Sequence, residues 1–177
     1  MYTKRLCRAA VIAALYTAIT LIFTPFAFGP IQVRPAEAFC ILPLFFPESI
    51  VGLTVGCALS NLASPFVLYD LPFGSLATLL AAVCTFLVGK RIQNTAVKIA
   101  VGGIFPVLFN AIIVPFVIVV LCGDNGGYAT ALIAYGWYAL SIGLTQAVWV
   151  YGLGTPLYFS ISKLQKRVSF LRVNIPH

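Results

Sequence analysis

From Ile99 to Gly123, and again from Asn125 to Ser162, the chain runs without one aspartate, glutamate, lysine or arginine. A helix on the surface of a soluble domain cannot do this, because its outer face must meet water. Further charge-free runs occupy Ala9 to Val33, Ser49 to Tyr69 and Leu71 to Gly89, with a shorter one from Ala38 to Pro47. A helix needs about 20 apolar residues to cross a bilayer core about 30 Å thick. Charged residues make up 8% of the chain, against roughly 25% in soluble domains. This excludes a soluble globular enzyme, a disordered chain and a solenoid of polar repeats. It predicts an integral membrane protein, all-α and polytopic, with residues 1–177 forming a single membrane domain.

The net charge of +7 does not indicate a nucleic-acid partner. Lys4, Arg5 and Arg8 stand at the start, Lys90, Arg91 and Lys98 in the middle, and Lys163, Lys166, Arg167 and Arg172 at the end. Only Arg34 stands apart. Basic clusters separated by apolar runs are the signature of cytoplasmic loops. Parity then fixes the path. The first helix leaves the cytoplasm after Arg8 and exits near Gly29-Pro30, as a retained helix and not a cleaved signal peptide. A short second helix goes down, the third returns after a turn at Pro47-Glu48, and the fourth brings Lys90 back inside. Six transmembrane helices are predicted, at about 8–28, 36–46, 48–64, 71–89, 99–121 and 131–160, with both termini cytoplasmic. Gly52, Gly56, Ser60 and Ser64 recur on one face of the third helix, as do Ala9/Ala13 and Ala10/Ala14/Ala18 on the first. Such small-residue faces let helices approach closely.

Polar residues in so apolar a chain are informative, because ionisable groups at membrane depth are costly and serve a function or a partner. Only four acids exist: Glu37, Glu48, Asp70 and Asp124. Glu48 sits at the inner turn, where it caps the third helix. The segment Phe28–Phe39, FGPIQVRPAEAF, is the densest polar stretch. Pro30 and Pro35 keep it out of helix while it presents Gln32, Arg34 and Glu37. Two readings stand: a ligand-contacting loop feeding a cavity, or an Arg34–Glu37 pair that only ties the loop down. Asn61, Asn110 and Gln146 lie inside helices and need partners. Pro106 and Pro115 flank Asn110 and would loosen the backbone there. Trp137 and Tyr138 read equally as interfacial belt or stacking surface, whereas Trp149 lies deeper. These side chains are expected to surround a hollow open to the exterior.

The five cysteines form no C-x-x-C pair, and four of them lie in or at the end of apolar runs, so they read as small buried hydrophobes. The single histidine is His177. No metal site and no cofactor is expected. There is no G-x-x-x-x-G-K-[ST] loop, no H-E-x-x-H and no G-x-S-x-G, so ATP hydrolysis by that loop and those hydrolytic chemistries are excluded.

FGPIQVRPAEAF, LPLFFPESIVGL (Leu42–Leu53) with Gly56 and Asn61, and DLPFGSLATLLAA (Asp70–Ala82) together resemble the QueT-type queuosine-precursor transporter family, among the S components of energy-coupling factor (ECF) transporters. The likeness is strong over the first half and rests on length and hydropathy over the second. It implies an S-component-like six-helix bundle in the cell (plasma) membrane of a prokaryote. Such a subunit captures a vitamin-like solute and works with an ECF coupling transmembrane subunit and two ATPase subunits. It implies a 7-deazaguanine ligand, queuine or its aminomethyl precursor. Glu37, then Asp70, would accept the guanine-like donor edge. Gln32, Arg34, Asn61, Asn110 and Gln146 would serve the rest, and Trp149 would supply an aromatic face. Partner docking is implied for Ala9 and Ala13, with Ala10 and Ala14 as the neighbouring register. The competing readings are an S component for another vitamin, a small intramembrane enzyme using Glu37 and Asp70, and a structural subunit.

Overall fold

The computed structural model describes residues 2–28 and 31–167; the expected exit at Gly29-Pro30, and Arg172 and His177, lie outside them. The described residues are helical nearly throughout: α1 (Tyr2–Ile22), the one-turn α2 (Thr24–Ala27), a 3-10 helix (Pro35–Leu44), α3 (Glu48–Asn61), α4 (Val67–Arg91), α5 (Thr95–Phe116), α6 (Ala131–Ala147) and α7 (Gly154–Arg167). A π-helical turn, Val117–Leu121, extends α5, and another, Val148–Leu153, joins α6 to α7. Four helices are long and apolar enough to cross a membrane: Tyr2–Ile22, Val67–Arg91, Thr95–Leu121 and Ala131–Gln165.

Burial is inverted relative to a soluble protein. Leu132 is 81% exposed and Leu68 78%, while Glu37 and Asn61 are each 1% exposed. Only a hydrocarbon surround rewards that arrangement. The ends of the helices follow local chemistry. Asn94 caps α5, its side chain accepting from the N–H groups of Ala96 and Val97 at 3.0 and 3.3 Å, and Thr130 caps α6 by accepting from Ile133. The expected loosening around Asn110 does not occur there. Asn110 lies in regular α-helix, and the ladder widens after Pro115, where the Cys122 N–H reaches back to the Val117 carbonyl at 2.9 Å. Proline offers no N–H, and such single-turn π insertions are how a helix absorbs a broken register.

Between the first and second of these four long helices the described residues hold two shorter helical passages, the 3-10 helix and α3. The first of the two is 3-10, not α: the Glu37 N–H donates to the Arg34 carbonyl at 3.0 Å and the Phe45 N–H to Leu42 at 2.9 Å. Ten such residues rise roughly 20 Å, where an α-helix of that length rises about 15 Å. The stretched geometry carries the chain from the level of Asp70 to the level of Gly89. A Cβ on Gly89 would sit 3.0 Å from the Leu44 backbone, and one on Gly154 3.2 Å from the Ala38 carbonyl. The 3-10 helix is therefore threaded through the middle of the bundle, against α1, α4, α5 and α7.

α1 and α3 pack closely because their faces are small. A Cβ on Gly52 would lie 2.7 Å from the Ala9 carbonyl oxygen, and one on Gly56 3.0 Å from that of Ala13. The hairpin turn is tied to α1 at the basic end of the bundle, where Arg8 Nη1 lies 2.8 Å from Glu48 Oε1 and the guanidinium stands 5.2 Å from the Phe46 ring centre. Glu48 thus has a partner on α1 beyond its place in the first turn of α3. Arg34, Asn61, Asp70 and the Cys122–Thr130 loop lie at the opposite, acidic end.

Candidate ligand-binding site: a buried polar cluster around Glu37

The period of a 3-10 helix is three residues, so positions i and i+3 eclipse. Arg34, Glu37 and Cys40 therefore fall in one line, which an α-helix would splay by about 60° per step. Arg34 Nε lies 3.9 Å from Glu37 Oε1, and the Cys40 thiol donates to Oε2 at 3.1 Å. Two other elements complete the carboxylate's surroundings. The Tyr16 hydroxyl, on the buried face of α1, donates to Oε1 at 2.6 Å. Gln146, at the end of α6, donates through Nε2 to Oε2 at 2.9 Å. Tyr16 is wholly buried, and Thr20, one turn on, donates to its carbonyl.

A second set continues from Arg34. Its Nη2 donates to Asn61 Oδ1 at 3.1 Å. The Asn61 amide donates to the Asp70 carbonyl at 2.8 Å and reaches the Cys57 sulfur at 3.5 Å. Ser64 donates to the Asp70 carboxylate. Gly74 makes room for this amide, since a Cβ there would stand 2.6 Å from Asn61 Nδ2. Arg34 also stands 5.4 Å from the Phe28 ring centre. The buried Glu37 carboxylate, the buried Arg34 guanidinium and the half-buried Asp70 carboxylate thus share a network drawn from α1, the 3-10 helix, α3, α4 and α6. Burying such charges costs several kcal/mol each unless geometry and further hydrogen bonds offset it, which the four contacts on Glu37 do. One donor remains unused: Arg34 Nε is buried with no hydrogen-bond partner among the described residues.

A family model described as the QueT transporter matches residues 6–163. The chain belongs to the QueT transporter family. That is a family of transporters, not of enzymes, and its several membrane-spanning helices agree with the fold. Over 72 residues the chain is 36% identical to the queuosine precursor transporter QueT of Lactococcus lactis subsp. cremoris (strain MG1363). The aligned part is 40% of this chain and 42% of that protein, so the likeness spans less than half of either. No solved structure matches.

Of the polar residues singled out in this QueT-family sequence, the fold gathers Arg34, Glu37, Asn61, Asp70 and Gln146. It leaves out three. Gln32 is half-buried on the approach to Arg34, and Trp149 is half-buried in the second π turn. Asn110 is buried but makes no side-chain hydrogen bond among the described residues. Tyr16 and Cys40 are members that sequence reasoning missed. The signal for Tyr16 was helical spacing, because it shares a face with Ala9, Ala13 and Thr20. For Cys40 it was the three-residue step from Glu37, legible only once the helix is known to be 3-10.

Two expectations are corrected. Among the described residues no hollow opens between Glu37 and Asn61, because each is 1% exposed and packed against its own partners. The open cavity at this end, about 340 Å³, lies beside α6 and is lined by Ile31, Gly126, Tyr128, Trp137, Tyr138 and Ser141. On α1, Ala9 and Ala13 are buried against Gly52 and Gly56 of α3, so that register is occupied within the chain. Ala10 and Ala14 are exposed.

Proposed function

We propose that this chain is the substrate-capture subunit of an ATP-driven ECF importer, one membrane domain that takes up a queuosine precursor. The ligand is a 7-deazaguanine, queuine or 7-aminomethyl-7-deazaguanine. Both termini are cytoplasmic, in the cell membrane of a prokaryote, and the acidic end of the bundle faces outward. ATP is hydrolysed on two partner subunits, reached through a coupling transmembrane subunit; the lack of a phosphate loop in the sequence supports that division. The likeness to the queuosine precursor transporter of Lactococcus supports the ligand class.

The observation that carries the reading is the Glu37 carboxylate, held at 1% exposure by donors from three elements. A guanine-like edge offers an N–H and an amino group side by side, which a carboxylate accepts in a pair. The Gln146 amide and the Cys40 thiol occupy that role on Oε2. A bound base exchanges places with them, and Arg34 Nε supplies a donor for the base carbonyl. Asp70 serves as second acid, and Gln32, Asn61, Asn110 and Trp149 are the further ligand-facing candidates. The coupling subunit docks on α1 along Ala10 and Ala14, the register left open.

Titration of the purified protein with queuine, the aminomethyl precursor, guanine and riboflavin tests this, together with Glu37→Gln. Deazapurine binding by the wild type and at least tenfold weaker binding by Glu37→Gln are expected. A Glu37→Gln protein that melts earlier but binds at full affinity would show instead that the cluster is a structural tie. That competing reading has its own support, because every oxygen of Glu37 already has a protein partner.

A further inference from the structure

At the basic end of the bundle, α1, the 3-10 helix and α7 leave an outward-facing groove of about 320 Å³ between them. The three-residue period explains its floor. Arg34, Glu37 and Cys40 form the line that faces the polar cluster, so Phe39 and Leu42 fall on another, turned by about 120°. That second line, with Phe46 at the turn, is what the groove uncovers. Val11 and Leu15 of α1 form one wall and Leu157 and Ile161 of α7 the other. Arg8 is the one charged residue in the lining, and it stands at the end nearest the basic residues of α1.

The dimensions select an occupant. From Arg8 to Leu15 on α1, and from Phe46 to Phe39 on the 3-10 helix, the groove runs roughly 10–14 Å by helical rise. One leaflet's share of a bilayer core is about 15 Å. Spread over that length, 320 Å³ leaves a channel about 6 Å wide, whereas a helix with its side chains needs about 10–12 Å. A single hydrocarbon chain fits the channel and a partner helix does not enter it.

The mouth selects the headgroup. Lys4 stands one turn before Arg8 on the same face of α1 and is exposed. Glu48 lies 2.8 Å from Arg8 and offsets its charge, but the other three acids lie at the opposite end of the bundle. Lys4, Arg5 and, on α7, Lys163 are exposed and leave the mouth positive. Positive charge over an apolar channel complements an anionic headgroup over its own tail.

We infer that this groove seats one acyl chain of an anionic phospholipid, with the phosphate at Lys4 beside the Arg8–Glu48 pair. The inference goes beyond the transport reading and does not depend on it; only the assignment to the cytoplasmic leaflet follows the orientation proposed above. The seated chain packs on Phe39 and Leu42, so the lipid braces the element that carries Glu37 from the side away from the polar cluster.

The test titrates the full chain in a mild detergent with phosphatidylglycerol and with phosphatidylcholine of the same acyl chains, and counts bound lipid by native mass spectrometry. Phosphatidylglycerol should bind as one retained molecule, about fivefold or more tighter than phosphatidylcholine. Lys4→Gln should weaken phosphatidylglycerol about fivefold, the effect of one basic residue near an anionic headgroup, and leave phosphatidylcholine unchanged. Val11→Trp and Ile161→Trp, one on each wall, should weaken both lipids several-fold. Glycerol phosphate, which carries the charge without a chain, should not displace the lipid. Thermal midpoints in lipid-free detergent report that the variants fold. Equal binding of the two lipids by the wild type, displacement by glycerol phosphate, or phosphatidylglycerol binding within twofold of wild type in both folded tryptophan variants would overturn the inference. If those two variants keep the lipid and instead lose the coupling subunit on co-purification, the groove is a protein seat and the lipid assignment is wrong.

Discussion

Replacing Tyr16 by phenylalanine deletes one oxygen and leaves every apolar contact of a wholly buried ring in place. The loss is confined to the 2.6 Å hydrogen bond to Glu37 Oε1. A hydrogen bond to a charged group contributes about 1.5–3 kcal/mol, and a buried acceptor left without its donor pays its full desolvation. Arg34 Nε, at 3.9 Å, is too far to take over as a hydrogen-bond donor. Tyr16→Phe should therefore destabilise by about 2 kcal/mol, which for a chain of this size lowers the thermal midpoint by roughly 4–8 °C. Glu37→Gln removes the charge that makes the bond strong, so the double variant should lose less than the two single losses combined. The coupling is expected at about 1 kcal/mol or more, measured by a double-mutant cycle of thermal or denaturant unfolding in one detergent. A Tyr16→Phe protein that melts within 1 °C of wild type, or a cycle that closes to zero, would refute the claim that Glu37 is held as a charged acceptor.

Gly52→Leu should separate α1 from α3, because even a Cβ meets the Ala9 carbonyl at 2.7 Å and backbone cannot yield as a side chain can; the expected result is little folded protein on size-exclusion chromatography, with Val51→Leu as the exposed control. Ala10→Trp and Ala14→Trp point outward and should keep the fold and ligand binding while abolishing co-purification with the coupling subunit; retained co-purification sinks that docking register.

The path of the chain was legible because charge and hydropathy are global signals. The long charge-free runs marked the apolar helices, although α1 covers Tyr2–Ile22 where 8–28 was expected. Glu48 at the hairpin turn and Gln146 as an inward amide were readable for the same reason, since a polar group in hydrocarbon must find a partner. The 3-10 geometry of Pro35–Leu44 was not legible. Three-residue and 3.6-residue periods differ little over ten residues that are nearly all apolar, and here the bundle imposes the stretch. Cys40 was lost with it, as it belongs to the cluster only through that register, whereas Tyr16 was legible from the spacing of α1 and was passed over. Alanines on adjacent faces of α1 are equivalent in sequence, and it is the glycines of α3 that choose which of them packs within the chain.

Because Glu37 has no empty acceptor site, binding under the proposed reading is an exchange of partners and not the filling of a void, and that sets its selectivity. A ligand with two adjacent donors replaces Gln146 and Cys40 without loss. One that lacks a donor leaves Oε2 with one partner in place of two, at a cost of about 1.5–3 kcal/mol for a hydrogen bond to a charged group, a discrimination of about tenfold or more. Riboflavin presents a single ring N–H between two carbonyls on its recognition edge, so it should be rejected on hydrogen bonding as well as on size. The same exchange draws Gln146 away from the 3-10 helix, and that contact is the hydrogen bond that joins the carboxylate to α6 among the described residues. Ligand binding at Glu37 therefore changes how the last long helix is tied to the hairpin while the Arg8–Glu48 pair at the opposite end is left untouched.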